Sequence, residues 1–136
     1  MHETFEHTAD LGLRVRAASE EELFAEAARG LFSMIVAELE TVQPTHPREF
    51  TIAGQDRDYL LFDWLNELLY VFDTERLLLS QFDVRMTGEG LTATARGEPY
   101  DPQRHRLDHE VKAITYHGLR VEQDADGWLA EVIVDI

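Results

Sequence analysis

Between Asp58 and Asp73 the chain places Leu60, Leu61, Trp64, Leu65, Leu68, Leu69 and Phe72 at spacings that cover most of the circumference of a helix. A helix that is apolar on nearly every side cannot lie on a surface. It must be enclosed, so the rest of the chain has to cover it from several directions. Asp63, Glu67, Asp73 and Glu75 then form its polar edge, because few other positions on it can face water. Its leucine and aromatic content reads as core packing, not as a cofactor box.

The covering elements are legible in outline. Leu11, Leu13, Val15 and Ala17 alternate with Gly12, Arg14 and Arg16, the period of a half-buried strand. Ser19 and Glu22 form a capping box, followed by Leu23, Phe24, Ala27, Leu31, Met34 and Ile35 at helical spacing, which predicts an amphipathic helix over 20–37. Residues 38–47, with Pro44 and Pro47, read as a loop, and Phe50 and Ile52 as a short strand ending at Gly54. Phe82, Val84 and Met86 alternate, as do Leu91, Ala93 and Ala95, around Gly88-Glu89-Gly90, which predicts a hairpin. A polar loop from Pro99 to His109 precedes a strand over 110–122. Asp124–Gly127 make a turn, and Trp128–Ile136 form the last strand. The expected class is α+β: a single domain over 1–136, with two main helices packed on largely antiparallel β-sheet.

Composition narrows the function. The 136 residues, 44% hydrophobic and without cysteine, can bury a core with no disulfide and no thiolate metal site. No run approaches the roughly 18 apolar residues of a membrane span. The start of the chain carries neither a basic leader nor an apolar signal core, so a cytoplasmic protein is expected. The net charge of −15 argues against direct binding of RNA or DNA, which needs clustered Lys and Arg. It favours a basic protein partner, divalent cations, or both. Adaptation to salt, or a codon bias toward arginine, explains the total charge equally well, but not the positions of particular carboxylates.

The basic residues number 12, and Lys112 is the one lysine among them. It sits in Glu110-Val111-Lys112-Ala113-Ile114-Thr115-Tyr116-His117, which also holds a carboxylate, a hydroxyl, a phenol and an imidazole. A position that keeps lysine where arginine is general suits a compact ammonium, since a planar guanidinium is no equivalent donor; chance survival is the plain alternative. The apolar run Val132-Ile133-Val134 ends in Asp135 and the α-carboxylate of Ile136. Two carboxylates this close repel unless a cation or a donor such as lysine lies between them. In the plainer reading Asp135 caps an exposed strand end. Ahead of the first strand, Glu6, His7 and Asp10 offer two carboxylates and an imidazole from what reads as one short loop, a set suited to a hard divalent ion. His7 can equally be a hydrogen-bonded core histidine. His105 and His109, with Asp101 and Asp108, read as a solvated loop first, with a metal site a distant second. No phosphate-binding glycine loop and no nucleophile elbow around Ser33 or Ser80 is present.

Phe5-Glu6-His7-Thr8-Ala9-Asp10-Leu11-Gly12, Trp64-Leu65-Asn66-Glu67-Leu68-Leu69-Tyr70, Gly97-Glu98, the Glu110–His117 octapeptide and the closing Asp135-Ile136 occur in an order that resembles the archease family along the whole chain. The resemblance implies a small α+β protein that is not itself an enzyme. It would act as cofactor of an RtcB-type RNA ligase in tRNA splicing or RNA repair, promoting the manganese- and GTP-dependent guanylylation of the ligase and its multiple turnover. It further implies a divalent-metal site, calcium first and magnesium or manganese next, on Asp10, Asp135 and Ile136. His7, Lys112, His117, Glu6 and Glu98 become candidates for ligase contact or for support of the metal ligands. Two rivals remain from the residues alone. One is a stand-alone metal-dependent phosphoesterase with His7 or His117 as base, against which the scarcity of ligands and of basic groups counts. The other is a broader chaperone or protein-modification cofactor.

Overall fold

A computed structural model describes residues 1–7 and 10–136, with backbone alone for Glu6 and His7. In chain order the elements are β1 (His2–His7), β2 (Asp10–Ala17), α1 (Glu20–Ile35), β3 (Val36–Ala37), β4 (His46–Ala53), α2 (Arg57–Glu75), β5 (Leu77–Thr87), β6 (Gly90–Pro99), β7 (Arg106–Leu107), β8 (Ala113–Ile114), β9 (Arg120–Asp124) and β10 (Gly127–Asp135). One sheet has the order β1-β2-β10-β8, with β9 also on β10; a second has the order β4-β6-β5; β3 and β7 form a two-stranded clip. Every pairing is antiparallel, and the class is the α+β arrangement expected.

α2 buries one broad face, with Leu60, Leu61, Trp64, Leu65, Leu68, Leu69, Val71 and Phe72 inside, but the expectation that it is enclosed on all sides is corrected, because Tyr59, Asp63, Glu67 and Tyr70 face water. Trp64 is fully buried, its Nε1 donating to the Phe24 carbonyl at 3.0 Å, and Phe50 and Phe82 meet its ring edge-on. α1 packs on β2 and β5 and so joins the two sheets, while α2 lies against α1, β4, β8 and β9. Ser19 caps α1 by accepting from the Glu22 N–H at 3.2 Å, and Asp56 caps α2 by accepting from Asp58 and Tyr59. α2 continues past Asp73 to Glu75, where Arg76 at φ 53 closes it in the left-handed region and donates its N–H to the Phe72 carbonyl.

Several expectations need correction. The stretch around Phe5–Asp10 is not a single loop ahead of the first strand, because β1 pairs with β2 from His2↔Val15 to His7↔Asp10. β1 carries no strand period, since its residues do not alternate apolar with polar; Phe5 gives it an apolar grip, its ring covering Gly12. A Cβ on Gly12 would meet that ring at 2.1 Å, so glycine there is a packing requirement. α1 stops at Ile35, since the Val36 and Ala37 backbones pair with Leu107 and Arg106 instead. The strand expected over 110–122 is broken into β8 and β9 by a turn with Gly118 at φ 68. The strand at Phe50 and Ile52 is longer than expected, starting at His46.

Candidate functional site

β2 is the strand on which the site is built. It lies between β1 and β10, and the register puts His7, Asp10 and Asp135 in one cross-strand row that continues to Ala113 of β8. The two aspartates named from separate parts of the sequence are therefore neighbours. Directly opposed residues of antiparallel strands bring their side chains to about 5 Å. Asp10 raises the proton affinity of the exposed Asp135 carboxyl, by a hydrogen bond and by charge; burial adds to this, and Lys112 opposes it. Two carboxylates held in contact create a site of negative potential that a cation relieves.

Lys112 is fixed by its backbone. Its N–H donates to the Asp135 carbonyl at 2.8 Å, just outside the β8–β10 pairs Ala113↔Asp135 and Ile114↔Val134. The side chain is exposed and lies close enough to Asp135 to favour its charged form. The lone lysine thus stands beside the acid pair.

The described side-chain donors at this row, Asp10 and Asp135, are carboxylates, which suit a hard divalent cation. Among the described residues no three His, Cys, Asp or Glu side chains converge as a metal cluster. The described side chains here supply two carboxylates, and further oxygens would have to come from the α-carboxylate of Ile136, from backbone or from water. Ile136 follows Asp135 directly and packs its side chain, half-buried, against the core, which limits where its carboxylate can go. The side chains of Glu6 and His7 lie outside the described residues.

The other candidates fall elsewhere. His117 is exposed beyond the Thr115–Ile133 hydrogen bond, on the side of β8 away from Asp135. The Thr115 hydroxyl is used within the fold, donating to the Ile133 carbonyl at 2.9 Å. Tyr116 turns onto α2, its ring stacked on Phe62 at 3.9 Å and edge-on to Tyr59 at 5.5 Å. Ahead of β8, Lys112 borders a pocket of about 620 Å³ whose lining includes Phe72, Asp73, Arg76, His109 and Glu110. Burial raises the Asp73 carboxyl, Arg76 opposes this, and Glu110 adds to it.

Glu98 belongs to a different cluster. It is 8% exposed and accepts from the Gln43 N–H at 2.7 Å, from Arg104, and pairs with His105 Nε2 at 3.0 Å. His105 is 3% exposed, its Nδ1 accepting from the Asp101 N–H at 2.9 Å. The expectation of a solvated histidine there is corrected: Glu98 and the Asp101 N–H satisfy both ring nitrogens, so the imidazole can be buried. Burial works against the Glu98 charge, but the Gln43, His105 and Arg104 donors outweigh it and hold the carboxyl below its ordinary value. Gly97 precedes it because the Leu78 carbonyl lies where a Cβ would stand, at 1.7 Å.

An α+β domain of this topology has relatives along its whole length. The model of the Archease protein family matches residues 2–136. The protein archease of Methanopyrus kandleri is 42% identical over 138 residues, covering 98% of each chain, and that of Pyrococcus abyssi is 41% identical, covering 98% of this chain and 97% of its own. The solution structure of Methanobacterium thermoautotrophicum protein 1598 superposes with a TM-score of 0.87 at 36% identity, covering 99% of this chain and 98% of that one. The crystal structure of a Thermotoga maritima archease, described as a possible chaperone, gives a TM-score of 0.68 at 25% identity, covering 100% and 98%. The chain belongs to the archease family. No helix among the described residues is long and apolar enough to cross a membrane.

Proposed function

We propose that the protein is a non-enzymatic activator of an RtcB-type RNA ligase, and that it presents a divalent cation, or the acid pair itself, to the ligase active site. The observation that carries this reading is the in-register opposition of Asp10 and Asp135, with Lys112 alongside and the Ile136 carboxylate next in chain. Like charges held in contact oppose each other, and a cation between them relieves that opposition. Calcium is the first candidate for the ion, with magnesium and manganese next; when bound it would neutralise the pair and offer open coordination positions to a phosphate or carboxylate of the partner. Asp10, Asp135 and the α-carboxylate of Ile136 would hold it, and Lys112 would steer anionic groups toward it. The charge of −15 favours encounter with a basic, RNA-holding partner, whose RNA this protein need not touch.

The test is multiple-turnover ligation by the cognate ligase with wild type, Asp10→Ala and Asp135→Ala, alongside calcium titration by calorimetry. Both variants should lose stimulation and metal affinity by at least the roughly 10–100-fold that loss of an outer-shell partner costs. Equal stimulation by all three proteins would remove the acid pair from the mechanism. A broad chaperone role, suggested by the wording used for the Thermotoga relative, would instead recover many partners, and not one ligase, in pull-down.

A further inference from the structure

Tyr59, Tyr70, Leu107 and Tyr116 are, with Met1, the large apolar side chains exposed among the described residues. The three tyrosines lie on one side of the molecule. Tyr59 and Tyr70 are eleven residues apart on α2, about three helical turns, and so share a face. Tyr116 leans onto the same helix through Phe62 and Tyr59. Tyr59 and Tyr116, with Asp58 and Leu119, border a cleft of about 410 Å³. Exposed carboxylates interleave with the rings along α2, at Asp63, Glu67 and Asp73. Arg57, at the start of the helix, is drawn away, pairing with Glu20 at 2.6 Å and lying over the Trp128 ring at 5.0 Å.

We infer that this tyrosine and carboxylate face of α2 is a second docking surface for the same protein partner, taking arginine side chains that stack on Tyr59, Tyr70 and Tyr116 and pair with the acids between them. The inference rests on the reading that the partner is a basic protein. Guanidinium groups satisfy both features of the face at once, because they stack on aromatic rings and pair with carboxylates. Bases of a single-stranded RNA would also stack, but their phosphates would meet Asp58, Asp63 and Glu67. Size supports one continuous contact. From Lys112 to Tyr116 an extended chain spans about 13 Å, whereas a standard interface of about 800 Å² per partner is roughly 30 Å across. A partner seated on the acid pair therefore reaches the tyrosines.

The experiment is calorimetric binding of the purified ligase to the full-length protein as wild type, Tyr59→Ser/Tyr116→Ser, Tyr59→Phe/Tyr116→Phe, Tyr70→Ser and Asp135→Asn, with circular dichroism on each. The double serine variant should raise Kd at least about tenfold, as loss of aromatic anchors does, and regain full stimulation at saturating concentration. The double phenylalanine variant should bind as wild type, since the stacking faces remain. Should the double serine variant unfold, Tyr70→Ser carries the test and should weaken binding with the fold intact. Wild-type affinity in every folded serine variant overturns the inference. So does a tyrosine dependence found for a single-stranded RNA oligonucleotide and not for the ligase. Asp135→Asn separates the two readings: full stimulation by it with tyrosine-dependent binding removes the metal role and keeps the docking face. Loss of stimulation with tyrosine-independent binding does the reverse, and a wild type that does not bind the ligase removes both.

Discussion

Two charged clusters divide the polar chemistry of this molecule, and they are built on opposite principles. Around Glu98, a carboxylate sunk into the fold meets a backbone N–H, a guanidinium and an imidazole, each supplying what burial took away. Around Asp135, an exposed carboxylate meets another carboxylate across the β2–β10 ladder, with one ammonium nearby. The first arrangement lowers a carboxyl's proton affinity and the second raises it. Charge that serves the fold is buried and matched. Charge kept exposed against its own kind is relieved by a cation instead.

The contrast can be broken most forcefully at Glu98. Glu98→Ala leaves His105, Arg104 and the Gln43 N–H without their acceptor, and should cost about 3 kcal/mol and lower Tm by about 10 °C. Stimulation of the ligase should be unchanged below the new Tm. A thermal melt paired with a ligation assay checks both, and lost activity with an intact fold would move Glu98 into the functional surface. The same residue sets a pH dependence. Because its folded carboxyl titrates below the ordinary 4.5, its stabilisation is fully present above that value and is lost as pH falls through the lower, folded one. Glu131 and Glu26 are shifted in the same direction, Glu131 chiefly by Arg120; on Glu26 burial acts against the shift, and His2 and Arg29 outweigh it. Glu98→Gln should flatten the acid limb of a Tm-against-pH curve.

The acid pair should answer with the opposite sign. Asp135→Asn removes a repulsion, so the metal-free variant should melt slightly higher than wild type while losing calcium-induced stabilisation. A lower Tm in the absence of metal would mean that the pair contributes to the fold after all. The smallest effect on stability is expected from Lys112→Arg, whose backbone bond to Asp135 is kept. The Tm should hold within experimental error while stimulation of the ligase falls, because a forked guanidinium replaces a point charge. Stimulation equal to wild type would make the retained lysine an accident.

How much of this was legible follows from where each signal resides. α2 is plain in the sequence because its apolar residues recur at helical spacing, and the 82–95 hairpin because alternation and turn chemistry agree. β1 is not, since a polar edge strand carries no inward stripe. His105 looks solvated in the sequence because the Glu98 carboxylate that satisfies its ring comes from β6, outside the loop. Asp135 is visible in the sequence as a carboxylate closing an apolar strand, and Asp10 as one of a polar group ahead of the first strand. Their meeting depends on a strand register that neither local sequence encodes. The resemblance to archeases supplied that expectation, and the ladder places the two residues side by side.

The pairing of β2 with β10 also governs when the acid pair can exist. β2 belongs to the first elements a ribosome releases and β10 is the last described, so Asp10 must wait for nearly the whole chain before its neighbour arrives. Contacts this distant along a chain form late, after loop-closure entropy has been overcome. A nascent or clipped chain that lacks β10 exposes the β2 edge but has no paired carboxylates to offer. On the reading proposed above, a partner would meet the acid pair only in a molecule whose β10 has docked on β2.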